Sequence, residues 1–144
     1  MNLEKAIQIA VDAHAGQTDK AGAPYILHPI RVMLGLRRQK EQIVAVLHDV
    51  VEDSRWTLSD LLAEGFNDDV VSAIDALTKR GGEAYNDYLG RVAKNDLAVR
   101  VKLEDLRDNS NLHRLVEPTQ RDYDRLRRYR DAWQKLTGVS FPSR

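Results

Sequence analysis

Cysteine is absent from the 144 residues, and its absence excludes several chemistries at once. A disulfide framework, a thiolate metal site and a cysteine nucleophile are all ruled out, so any metal ion must bind nitrogen and oxygen ligands. Net charge is absent too, because 22 lysine and arginine residues balance 22 aspartate and glutamate residues. This balance argues against binding to nucleic-acid polymers or membrane surfaces through overall charge.

Long hydrophobic runs are also missing. No stretch approaches the roughly 20 apolar residues that cross a bilayer, and residues 1–6, MNLEKA, do not resemble the start of a signal peptide. We therefore expect a cytoplasmic protein without membrane partners. With 42% hydrophobic residues, the chain has material for one core, so a single domain over residues 1–144 is expected.

Apolar residues recur at three- and four-residue intervals along most of the chain, which predicts an all-α fold. The second helix is predicted to carry Pro29 in its first turn, with His28 at its boundary. Capping residues and glycines predict most of the other boundaries. Helices are expected to end near Gly16, Gly65 and Gly138, and to begin near Lys40, Thr57 and Asn67.

The most informative segment is residues 43–53, IVAVLHDVVED. Its apolar residues predict burial, yet burying the imidazole of His48 and the carboxylate of Asp49 is costly unless a group such as a metal ion compensates them. If the segment is one helix, Glu52 and Asp53 lie one turn beyond this pair. A solvated helix end is the simpler interpretation of those last two residues. Mixed imidazole and carboxylate ligands suit Mn, Fe, Co, Zn or Mg, and the spacing does not choose among them.

Three ordered motifs resemble a known family. They are residues 22–29, GAPYILHP, residues 48–53, HDVVED, and residues 102–109, KLEDLRDN. The adjacent His-Asp pair, with a histidine upstream and an aspartate downstream, resembles the HD-domain metal-dependent phosphohydrolases. Taken in full, the motifs are similar to those of the alarmone hydrolases that carry a RelA/SpoT-type hydrolase domain. The resemblance extends from about His14 to Tyr129.

This resemblance implies an HD-domain helical bundle around a single divalent metal ion, by family resemblance Mn²⁺. It also implies a role for Glu52 and Asp53, which would position and activate the attacking water. The chemistry is reasonable, since a divalent cation lowers the pKa of bound water and a nearby carboxylate can accept its proton. The implied metal ligands are His28, His48, Asp49 and Asp105.

Five positions are candidate substrate contacts. Asn109 matches the asparagine that closes the family's third motif, and Tyr129 matches a late aromatic near the substrate's sugar or base. A surface amide and a core aromatic are the simpler interpretations of these two residues. A phosphate substrate also needs cations besides the metal, and Lys20, Lys79 and Lys102 are placed to supply them, unless they are merely solvated.

Other polar groups are expected to stay outside the site. His14 matches the end of the family's first helix, where the histidine supports the fold, and His113 is expected to be structural or exposed. The arginines of residues 121–130 alternate with aspartates, which is typical of an exposed, ion-paired helix face rather than a nucleic-acid-binding stripe.

The chain departs from the family at positions that recognise the base. The family carries Arg-Lys before its first motif, with the arginine packed on guanine, whereas this chain has Asp19 and Lys20. The family's third motif contains Asp-Arg and ends in His-Asn. Here Leu106 follows the aspartate, and Asp108 precedes Asn109. The implied metal ligands survive all of these changes.

The resemblance therefore implies a metal-dependent phosphohydrolase that removes pyrophosphate from the ribose 3′ position of the guanosine alarmones, (p)ppGpp. We expect a stand-alone hydrolase, because 144 residues leave no room for the synthetase domain of longer relatives. Two alternatives stay open. The chain could be an HD phosphohydrolase for another nucleotide, such as NADPH or a nucleoside monophosphate, or a non-catalytic helical module that binds a nucleotide. The sequence does not indicate an oligomeric state.

Overall fold

The computed structural model describes residues 2–142, which form nine α-helices and no β-strand. The expected all-α fold is confirmed. None of the described helices is both long and apolar enough to cross a membrane. The helices are α1 (Leu3–Ala13), α2 (Leu27–Leu34), α3 (Gln39–Leu47), α4 (Val50–Asp53), α5 (Leu58–Ala63), α6 (Asp68–Leu77), α7 (Tyr85–Ala93), α8 (Asp96–Asn109) and α9 (Gln120–Thr137), with a short 3-10 helix (Leu112–Arg114) before α9.

Local capping chemistry sets several helix boundaries where the sequence predicts them. The Thr57 hydroxyl accepts the N–H of Asp60, and the Asp60 carboxylate accepts the N–H of Thr57, which makes a capping box at the start of α5. The Asn67 side chain accepts the N–H of Val70 and opens α6. Gly138 closes α9 at φ 77°, a left-handed conformation that glycine adopts without strain.

Helix α3 is the centre of the core. Every side chain of residues 43–47 is fully buried, and α3 packs against α1, α2, α6 and α8. Burying one large aliphatic side chain contributes about 1.5–3 kcal/mol, so this run is a main source of stability. The C-terminal end of α3 is therefore a rigid platform for the residues that follow it.

The predicted continuous helix over residues 43–53 is wrong. Helix α3 ends at Leu47, and His48 with Asp49 forms a turn before α4 begins. The His48 N–H donates to the carbonyl of Ala45, three residues back, so the last turn is tighter than an α-helix. Neighbouring side chains of a continuous helix diverge by about 100° around its axis. In the turn they face one point, with His48 Nε2 3.2 Å from Asp49 Oδ2.

Shortening Leu47 tests the core assignment. Leu47 is fully buried, and we expect Leu47→Ala to lower the free energy of unfolding by about 2–5 kcal/mol because it leaves a cavity next to the turn. Leu34 is 71% exposed, so the matched control Leu34→Ala should change it by less than about 0.5 kcal/mol. Urea denaturation measures both, and equal effects would contradict the assignment.

Candidate metal centre

Three separate parts of the chain bring four polar side chains together. His28 comes from α2, His48 and Asp49 come from the turn between α3 and α4, and Asp105 comes from α8. Asp105 Oδ1 lies 2.9 Å from His28 Nε2 and 3.4 Å from His48 Nε2. Asp49 Oδ2 lies 3.9 Å from His28 Nε2. All four residues that the family resemblance implies as ligands thus meet at one point.

The His48 ring is oriented by the backbone of its own helix. Its Nδ1 lies 2.5 Å from the carbonyl oxygen of Ala45, so Nδ1 carries the proton that is donated there. The opposite nitrogen, Nε2, is buried and makes no well-aligned hydrogen bond with any residue in the range 2–142. When Nε2 is unprotonated, its lone pair is directed at the point where the four side chains meet.

The His28 ring is oriented in the same way by a side chain. Its Nδ1 lies 2.7 Å from Asp108 Oδ2, which leaves Nε2 facing Asp105. The sequence does not single out Asp108 for this contact. Its neighbour Asn109, which is predicted as a substrate contact, donates from its side-chain amide to Asp105 Oδ1 at 3.1 Å.

The pKa values of the two aspartates are lowered and those of the two histidines are raised, which favours ion pairs between them. Burial would raise the pKa of Asp49, but His48 and His28 outweigh it and lower that pKa to about 2. Burial would also raise the pKa of Asp105, but Lys102 and the imidazoles hold it well below its usual range. Burial would lower the pKa of both imidazoles, yet the adjacent carboxylates raise it. Protons and a metal cation are thus alternative ways to compensate the same carboxylates.

This donor set fits a divalent metal ion. Atoms of His28, His48 and Asp49 that can act as ligands all lie within 4.8 Å of one another, and Asp105 Oδ1 contacts both imidazoles. Two imidazole nitrogens and two carboxylates suit first-row transition metals such as Mn²⁺, Fe²⁺ or Zn²⁺. The buried Nε2 of His48 also needs a partner, which a cation would supply.

Glu52 and Asp53 lie on α4, immediately after the turn, with solvent-exposed side chains. Glu52 Oε1 accepts the backbone N–H of Lys79 at 2.6 Å, which ties this carboxylate to the end of α6. Partial desolvation and the negative charge of Asp49 raise the pKa of both Glu52 and Asp53. A carboxylate with a raised pKa is a better proton acceptor near neutral pH.

His14 supports the backbone at the end of α4 through its contact with Gln17. It is buried, and its Nδ1 lies 2.9 Å from Gln17 Oε1, while the Gln17 amide donates to the backbone carbonyl of Asp53 at 2.9 Å. The ring of His14 also packs on Tyr25, with ring centroids 5.0 Å apart. The Tyr25 hydroxyl in turn donates to Asp49 Oδ2 at 2.5 Å. These contacts are those of a structural histidine.

A cavity of about 370 Å³ opens beside His28, between the loop before α2, the end of α8 and helix α9. Three of the five predicted substrate contacts line it, namely Lys20, Asn109 and Tyr129. Three arginines that the sequence does not single out also line it, namely Arg31, Arg114 and Arg125. The wall of the cavity therefore carries four lysine and arginine side chains beside the carboxylates of Asp19 and Asp122.

Comparison with known proteins agrees with this geometry. The model of the HD domain family matches residues 6–107. The chain belongs to the HD domain family. Among solved structures, a protein described as a metazoan ortholog of SpoT that hydrolyzes ppGpp shares the fold, with a TM-score of 0.77 at 24% sequence identity. That likeness covers 96% of this chain and 86% of the other.

Curated relatives of this HD protein include guanosine-3′,5′-bis(diphosphate) 3′-pyrophosphohydrolases. The protein of that name from Borreliella burgdorferi is 40% identical over 82 residues, 54% of this chain, and that from Aquifex aeolicus is 30% identical over 119 residues, 74% of this chain. The chain spans 12% and 17% of the length of these two relatives. The resemblance to the alarmone hydrolases is confirmed.

The position of Arg125 differs from the one that the sequence predicts. The expectation of an exposed, ion-paired face over residues 121–130 is wrong at this residue. Its side chain is 20% exposed, pairs with Asp122, and faces the cavity because α9 packs against α8. The alternating charges correctly indicate ion pairing, but they do not indicate which turn of the helix faces the site.

Lys79 and Lys102 do not line the cavity. Lys79 is exposed, and its backbone N–H binds Glu52. Lys102 is 8% exposed, and its Nζ donates to Asp105 Oδ2 at 2.9 Å and lies 5.2 Å from the ring centroid of Tyr88. In this geometry the Lys102 ammonium compensates the charge of Asp105, so a contact with substrate stays a prediction for both lysines.

Asp19 stabilises its own loop. Its Oδ1 accepts the N–H groups of Ala21 and Ala23 at 2.9 Å each, and Gly22 between them has φ 85°, which glycine adopts readily. Where the family has an arginine that packs on guanine, this HD protein thus has a carboxylate that holds a tight turn.

Metal affinity should depend on pH. His28 and His48 must lose a proton before they bind a metal, and their pKa values are raised above the usual 6.5. We expect binding to release protons and the dissociation constant for Mn²⁺ to be at least about tenfold weaker at pH 6 than at pH 8. Calorimetric titration in buffers of different ionisation enthalpy measures both quantities. A dissociation constant that is the same at both pH values would contradict the ligand assignment.

Proposed function

We propose that this chain is a divalent-metal-dependent phosphohydrolase that removes pyrophosphate from the ribose 3′ position of guanosine alarmones. The observation that carries the proposal is the meeting of His28, His48, Asp49 and Asp105 within an HD fold, beside a cavity whose wall carries lysine and arginine side chains. The names of the curated relatives support the same substrate class. The cytoplasmic location, the lack of nucleic-acid and membrane partners and the single domain stay predictions.

The proposed cofactor is Mn²⁺, held by the two imidazoles and the two aspartates. When bound, such an ion would polarise a phosphoryl oxygen and lower the pKa of a water molecule. The chain fixes the geometry in advance, because both rings are held through Nδ1 and present Nε2 to the site. Little reorganisation is then needed when substrate arrives.

Glu52 and Asp53 are the proposed proton acceptors for the attacking water. Both lie on the short helix that follows the two ligands of the turn, and both have raised pKa values. The backbone N–H of Lys79 holds Glu52 in place at 2.6 Å. General bases of this kind contribute about 10²–10⁴-fold to the rate.

The cavity beside His28 is the proposed nucleotide site. Its volume of about 370 Å³ lies in the range of small-molecule pockets. Lys20 and Arg125 can bind phosphate oxygens, Tyr129 offers an aromatic face to a sugar or base, and Asn109 connects this wall to Asp105 through its amide.

One observation favours a second candidate substrate. The Asp19 carboxylate holds its loop and cannot stack on guanine as a guanidinium does, so base selectivity through this position is lost. An HD phosphohydrolase for another nucleotide, such as NADPH or a nucleoside monophosphate, would use the same metal centre.

A nucleotide panel separates these functions. With Mn²⁺ added, we expect release of pyrophosphate from ppGpp, and loss of that release when a chelator removes the metal. Faster release of phosphate from NADPH or from a nucleoside monophosphate would establish the second candidate. Saturable binding of ppGpp without any product would instead show a non-catalytic module and would refute the proposal.

The role of Glu52 is tested by removing its charge. We expect Glu52→Gln to lower kcat by about 10²–10⁴-fold, because the amide cannot accept a proton, while Mn²⁺ affinity changes little. Glu64, which follows α5 and pairs with Lys5, supplies the control Glu64→Gln, for which we expect unchanged kcat. Steady-state kinetics with saturating Mn²⁺ measures both variants. Wild-type turnover in Glu52→Gln would remove this residue from the mechanism.

A further inference from the structure

Asp108 contacts His28, a proposed metal ligand, at the ring nitrogen that faces away from Asp105. It lies on α8, and its Oδ2 accepts the Nδ1–H of His28 at 2.7 Å, while Nε2 of the same ring faces Asp105 Oδ1 at 2.9 Å. The Asp108 side chain is 12% exposed.

Two arginines hold this carboxylate from other elements. Arg31 on α2 donates from Nε to Asp108 Oδ1 at 2.8 Å and from a terminal nitrogen to Oδ2 at 3.1 Å. Arg114 in the 3-10 helix donates to Oδ1 at 3.1 Å. Asp108 thus accepts hydrogen bonds from three side chains, those of His28, Arg31 and Arg114.

We infer that Asp108 is a positioning residue for His28 as a metal ligand. The inference rests on the proposed metal-dependent function. A carboxylate on Nδ1 fixes the tautomer that leaves Nε2 unprotonated, and its charge makes the imidazole a stronger ligand. The motif that this chain resembles has a histidine at this position, whereas this chain has the carboxylate of Asp108.

The variant Asp108→Asn tests the inference, because it keeps the shape of the side chain and removes its charge. We expect its Mn²⁺ affinity, measured by competition with a calibrated chelator, to fall about 10–100-fold. Glu104→Gln is the matched control. It removes a carboxylate from the same helix, but this one binds Arg107, and the affinity should stay within about twofold of the unmutated protein.

A second comparison separates positioning from simple loss of ion pairs. The double variant Arg31→Gln, Arg114→Gln removes both guanidinium partners but leaves the carboxylate on His28, so its Mn²⁺ affinity should fall by less than about fivefold. In protein loaded with diamagnetic Zn²⁺, the Nδ1 proton of His28 should resonate far downfield in the unmutated protein and in this double variant. It should move upfield in Asp108→Asn.

Two results would overturn the inference. One is unchanged affinity and an unchanged Nδ1 proton in Asp108→Asn, and the other is an equal loss of affinity in the double variant. If Asp108→Asn fails to fold, Asp108→Glu retains the charge and should retain the downfield Nδ1 proton, whose absence would also overturn the inference. Failure of the unmutated protein to bind Mn²⁺ would instead refute the proposed function.

Discussion

The burial of three ionisable side chains around a fourth, partly buried one at the end of the core helix is the constraint on which the rest of the structure depends. His28, His48 and Asp105 are each at most 5% exposed, and Asp49 is close beside them. Removing such groups from water costs more than the net stability of many domains unless opposite charge is supplied. The raised imidazole pKa values show that protons can supply it, and the donor geometry shows that a divalent cation can do so.

The fold meets this constraint by giving each ligand its own anchor. These anchors come from α3, from α8 and from the loop before α2, and they hold the four ligands directed at a common point, as a preorganised site requires. They also explain why charged residues lie behind the site as well as in it. The pairs of ligand and anchor are His28 with Asp108, His48 with the carbonyl of Ala45, Asp49 with Tyr25, and Asp105 with Lys102.

Much of the fold follows from local signals, whereas the surroundings of the site do not. The caps at Thr57 and Asn67 act within four residues, so the sequence predicts them well. The break after Leu47 has no signal in the local sequence, because the apolar residues of α3 are followed by Val50 and Val51 on the other side of it. The roles of Asp108 and Arg125 depend on contacts with α2 and on the packing of α9, which no local pattern encodes. The His-Asp motif identifies the candidate metal centre but not the residues that hold its ligands in place.

The most direct measurement of the central claim is an anomalous difference map from crystals grown with Mn²⁺. The account predicts one strong peak bonded to Nε2 of His28, Nε2 of His48 and a carboxylate oxygen from each of Asp49 and Asp105. A peak that is bonded to other residues, or the absence of any peak among these four side chains at saturating Mn²⁺, would contradict the account.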